Sequence, residues 1–114
     1  MVGTETEKII NEQVQKCLDI LVTKAKEYAP DGADRLHNFK VSAKLHGSTE
    51  QAALAGMMAK HTTSIYDMCH SMDDFTKEQW DEKITDHINY LLLLQCIVHE
   101  NRKEKNNERK TNIE

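Results

Sequence analysis

The chain has 114 residues, a length that holds one domain and not two independent cores. Apolar residues make up 39% and charged residues 30%, with four glycines, one proline and 5% aromatics; this excludes a turn-rich all-β fold and requires a core of aliphatic side chains and methionine. The net charge of -4 excludes a general nucleic-acid binder, because neutralising phosphates needs a basic excess.

Thr4-Glu5-Thr6-Glu7 has the form of a capping box, so a first helix is expected to open there. Ile10, Val14, Cys17, Leu21, Ala25 and Tyr28 then recur at helical spacing and form its expected buried face. Pro30-Asp31-Gly32 is expected to stop it. A short second helix is expected from near Asp34, with Leu36, Phe39 and Ala43 on one face and Gly47 as its C-terminal cap.

Ser48-Thr49-Glu50-Gln51 reads as a second capping box, opening a third helix whose stripe is Leu54, Met57, His61, Ile65, Met68 and Met72. Thr76-Lys77-Glu78-Gln79 is a third box. The fourth helix is expected from about Lys77 to at least Glu100, with Trp80, Ile84, Ile88, Leu91 and Val98 on one side. Between Tyr90 and Val98 it is apolar almost all round, which calls for burial on several sides or in a contact between copies of the chain. The domain is therefore expected over residues 1–100, followed by a charged, partly disordered tail at 101–114.

Cys17, Cys69 and Cys96 are odd in number and widely spaced, so neither a disulfide framework nor a zinc motif is suggested. Each falls in or beside an apolar stripe and is expected to be a small buried hydrophobe in a reducing, cytoplasmic setting. Met1–Lys8 is polar and acidic, unlike a signal peptide. The Tyr90–Val98 run is shorter than the roughly 18 residues a membrane span needs.

The fourth helix carries the most chemistry. Asp86, Tyr90, Leu93 and Ile97 share one face, and Glu82 lies one turn earlier on it. A carboxylate that continues an apolar stripe needs a cation, a metal or several donors, because an unpaired buried charge is costly. Glu82 and Asp86, at i and i+4, can share a hard ion such as Mg²⁺. The alternative is that Asp86 pairs with a Lys or Arg of a neighbouring helix and fixes the packing. Lys60, His61 and Ser64 on the third helix read either as ordinary surface and core polarity or as a basic wall facing the acidic one. Lys24, Glu27, Tyr28, Asp31, Asp34, Arg35, His37 and Asn38 form a dense polar cluster after the first helix. Arg35 and His37 in it are candidate phosphate donors, and Asn38 a candidate reader of a base or sugar edge.

These elements together — Glu27-Tyr28, Arg35 with Asn38-Phe39, Gly47 before a cap, Lys60-His61-x-x-Ser64 and Glu82-Lys83-Ile84-x-Asp86-x-Ile88-Asn89-Tyr90-x-x-Leu93 — follow a recurring pattern. Over roughly Ile10 to Val98 the chain resembles small phage-encoded proteins of the nucleotide-modification-associated, MazG-like type. The resemblance implies a compact four-helix bundle, oligomers, and Mg²⁺-dependent pyrophosphohydrolysis of nucleoside triphosphates. It also implies a viral origin and residence in the cytoplasm of a bacterial host. In that group one acidic pair stands on each of two successive helices. Here Glu82 and Asp86 match the second pair with one extra residue between them. Lys60-His61-Thr62-Thr63-Ser64 stands where the first would be, and Glu27, Asp31 and Asp34 are the substitutes within reach.

The sequence reading is thus an oligomeric α-helical protein that binds a phosphorylated nucleotide through Arg35, Asn38, Lys60, His61, Asn89 and Tyr90, with Mg²⁺ on Glu82 and Asp86. Its rivals are a non-catalytic phage protein that sequesters a nucleotide signal, and an inhibitor of a host defence protein.

Overall fold

The computed structural model describes residues 1–28 and 33–113. Four helices account for nearly all of them: α1 Gly3–Tyr28, α2 His37–His46, α3 Glu50–His70 and α4 Lys77–Ile113, with no strand among the described residues. The Pro30-Asp31-Gly32 stop and the Tyr28 side chain lie outside the described residues.

Local capping chemistry sets several of these boundaries. Thr76 Oγ1 accepts the Gln79 N–H at 3.1 Å and Gln79 Oε1 accepts the Thr76 N–H at 2.8 Å, so the third expected box is complete and opens α4. Gly47 ends α2 in the left-handed conformation at φ 62°, and the Ser48 N–H reaches back to the Ala43 carbonyl at 2.9 Å. At α3 the cap is Thr49 and not Ser48, since Thr49 Oγ1 accepts the Ala52 N–H. Thr4 caps nothing, because α1 already begins at Gly3. α2 starts at His37, later than expected. Asp34 instead folds the residues before it, accepting the Leu36 N–H on its carboxylate and the His37 N–H on its carbonyl.

α4 is the spine. Its 37 residues span about 55 Å at 1.5 Å per residue, which matches the molecule's 58 Å long dimension. It runs past Glu100 to Ile113, so residues 101–113 extend a helix and not a coil. That stretch has no Gly or Pro and is rich in Lys, Arg and Glu, which propagate a helix well.

α3 packs antiparallel on α4, α2 packs on α3, and α1 packs on α4 alone among the described residues. Leu36, Phe39, Leu54 and Ile97 form the buried centre, with Met57, Met58, Tyr90, Leu93 and Leu94 against them. The Asp86-Tyr90-Leu93-Ile97 face therefore points inward, as its spacing required. The Trp80, Ile84, Ile88, Leu91 side is only partly covered, and Leu91 and Leu92 remain exposed. Met72 lies beyond the end of α3 and is fully exposed.

α1 departs most from expectation. Gln13 Nε2 donates to Thr85 Oγ1 at 2.8 Å, and Lys16 meets Asp81 at 2.8 Å. These two pairs turn the line Gln13, Lys16, Cys17, Ile20 toward α4. Thr85 is completely buried, and the Gln13 amide satisfies its hydroxyl. Cys17 is buried on the same line, while Ile10 and Val14 stay half-exposed. The other two cysteines, Cys69 and Cys96, are exposed and correct the expectation of burial: Cys69 follows buried Met68 and Cys96 precedes buried Ile97, each on the flank of its helix.

Candidate functional site

A cavity of about 610 Å³ opens between α1, the start of α2, α3 and α4. From α3 it takes Met57, Lys60, His61 and Ser64, which are one helical face at i, i+3, i+4 and i+7. From α4 it takes Glu82, Lys83, Asp86, Asn89, Tyr90 and Leu93. Arg35, Asn38 and Phe39 close one end, and Ile20, Leu21 and Lys24 of α1 form the remaining edge. The eight residues of the expected nucleotide and metal site, Arg35, Asn38, Lys60, His61, Glu82, Asp86, Asn89 and Tyr90, all line this one space.

The floor is polar and buried. Asn89 is 7% exposed, and neither its amide oxygen nor its amide nitrogen has a hydrogen-bond partner among the described residues. His61 Nδ1 is likewise buried without a partner. The His61 and Tyr90 rings lie 5.1 Å apart at 37° across the α3–α4 seam. Burial holds the His61 imidazole below its usual titration range. The Asp86 carboxylate opposes this, and Lys60 and Lys83 reinforce it. The ring is therefore neutral at pH 7, with one nitrogen able to accept.

The rim is charged. Lys24, Lys60 and Lys83 enter no ion pair among the described residues, and Arg35 stands with them at the opening. Glu82 and Asp86 supply the two lining carboxylates, and neither is ion-paired among the described residues. A packing role for Asp86, through a salt bridge to a neighbouring helix, finds no such partner among the described residues.

Several expected neighbours go elsewhere. Asp34 pairs with Lys40, which also reaches Glu100 on α4. That bridge pins the segment before α2 to α4 and holds Arg35 at the cavity mouth. Asp34 and Glu27 do not line the cavity, so neither adds a carboxylate to Glu82 and Asp86 there, and Asp31 lies outside the described residues. His37 does not line it either.

Lys83 was not visible as a site residue from the sequence, although its place three residues before Asp86 puts it beside the same face. The Thr62–His87 contact at 2.9 Å was missed too; it clamps α3 to α4 next to the site.

Two carboxylates one turn apart fit a hard divalent ion that keeps most of its waters and takes further oxygens from a phosphate. Among the described residues no group of three or more His, Cys, Asp or Glu forms a fuller ligand set. No protein-family model, no curated protein and no solved structure matches the chain. No helix among the described residues is long and apolar enough to cross a membrane.

Proposed function

We propose that the protein binds a phosphorylated nucleotide in the cavity between its four helices. One observation carries this reading: the same cavity joins a buried, unpartnered amide to a rim of cationic side chains. Leaving a buried polar group unsatisfied costs about 1–3 kcal/mol, so Asn89 is a burden on the fold unless something outside the protein uses it. Its adjacent donor and acceptor match the edge of a nucleobase. The tilted His61–Tyr90 rings give that base an apolar, π-rich wall. Lys24, Arg35, Lys60 and Lys83 then meet the phosphates, and Asn38 stands within reach of the sugar.

Glu82 and Asp86 would hold Mg²⁺, the ion that couples carboxylates to phosphate oxygens. When bound it would supply charge neutralisation to the phosphates and polarise an attacking water. The chain's own residues favour binding over turnover. α3 presents Lys60, His61 and Ser64 to the cavity and no carboxylate, so the first acidic pair of the MazG-like pattern has no counterpart there. A phage protein that holds a nucleotide signal without hydrolysing it, in the cytoplasm of its host, is therefore the form of the reading that the cavity supports best. A pyrophosphohydrolase is the second form. Inhibition of a host protein is the reading that remains if no small ligand binds. Self-association also belongs to this proposal, supported by the exposed Leu91 and Leu92.

The test is a thermal-shift series on wild type and Asp86→Asn across a nucleotide panel, with and without Mg²⁺, with product analysis of the same samples. A nucleotide at a hundredfold excess over its Kd should stabilise the fold by about 2.7 kcal/mol. Asp86→Asn should remove the part of that shift that depends on Mg²⁺. If no nucleotide shifts the wild type, the nucleotide reading fails.

A further inference from the structure

Among the described residues α1 packs on α4 alone, yet its outward side is not polar. Ile10, Val14, Leu18 and Val22, spaced four residues apart, are each about half exposed, at 55%, 53%, 48% and 56%. Leu21 continues the stripe inward and lines the cavity. An apolar stripe of this length on a helix that touches one neighbour marks an interaction surface.

We infer that this stripe pairs with the same stripe of a second copy of the chain, antiparallel about a two-fold axis near the Val14–Leu18 midpoint. The stripe reads alike in both directions. A two-fold placement sets Ile10 of one copy against Val22 of the other, and Val14 against Leu18, so every apolar side chain meets an apolar side chain.

The charges favour the same direction. α1 opens with Glu5, Glu7 and Lys8, a net acidic start, and ends with Lys24, Lys26 and Glu27, a net basic end. Antiparallel pairing brings the net acidic start of one helix beside the net basic end of the other, and sets the two helix dipoles antiparallel. Parallel pairing would stack like charge on like. Because Leu21 and Lys24 belong both to this helix and to the cavity edge, the pairing also places the second copy beside the cavity's α1 wall. This inference does not depend on what the cavity binds.

Sedimentation equilibrium of the full chain under reducing conditions, at micromolar concentration, tests it. The wild type should sediment as a dimer or a multiple of one. Leu18→Glu should cut the mass by at least half with an unchanged helical spectrum, since the side chain is exposed. Glu7→Lys should raise the dissociation constant about tenfold, and Glu7→Lys with Lys26→Glu should restore it. The inference is overturned if the wild type is a monomer, if Leu18→Glu leaves the mass unchanged, or if the charge swap does not restore association. In each overturning case a nucleotide-induced thermal shift would still stand by itself.

Discussion

The side-chain amide of Asn89 and the Nδ1 of His61, on two different helices, are both buried against the same cavity and both lack a partner among the described residues. Unsatisfied polar atoms are rare inside folded proteins and concentrate where a ligand or an ordered water completes them. The pair gives this protein its most direct test of function against stability.

Asn89→Leu removes the amide at nearly constant size. The variant should be more stable than wild type by about 1 kcal/mol, seen as a rise in Tm of about 4 °C, and should lose the nucleotide-induced shift. A fall in Tm would mean that the amide is satisfied within the fold and is not a ligand group.

Lys60→Ala should weaken nucleotide binding without changing Tm, because Lys60 is exposed at the rim and ion-paired to nothing among the described residues. One charge-assisted hydrogen bond contributes roughly 1.5–3 kcal/mol, so calorimetry should read a loss of about tenfold or more. Equal affinities for wild type and variant would remove Lys60 from the site.

His61 gives the pH dependence. Its folded-state pKa is depressed by burial, so below pH 6.5 the unfolded chain takes up the proton first. Stability should therefore be flat above pH 6.5 and fall as pH drops below it, and His61→Gln should flatten that fall. A bound phosphate should act in the opposite direction and raise the His61 pKa. Titration of the ring protons by NMR, with and without nucleotide, reads both effects. A pKa at or above the free value without ligand would contradict the buried geometry.

Thr76→Ala removes one half of the box that opens α4. Stability should drop by about 1 kcal/mol, as for other N-terminal caps, with binding unaffected. Thr4→Ala, by contrast, should change nothing measurable, because Thr4 lies inside α1 and caps no helix. Urea titration of the two variants side by side checks the contrast.

The amino-acid sequence by itself determined the helices and the polar face. The Thr76–Gln79 box, the left-handed Gly47 and the spacing of Glu82, Asp86, Asn89 and Tyr90 act within one or two turns of chain, so they are legible without knowing any neighbour. Tertiary structure alone decided which faces met. The apolar spacing of α1 indicated a buried side, but hydrophobic attraction has no direction. Gln13 on Thr85 and Lys16 on Asp81, contacts spanning more than sixty residues, turned Ile10 and Val14 outward. Asp34 went to Lys40, six residues on and itself paired with Glu100 of α4, and the helix crossings brought Lys24 and Lys83 to the cavity. A site assembled from four separate segments depends on how those segments cross, and no local pattern encodes a crossing.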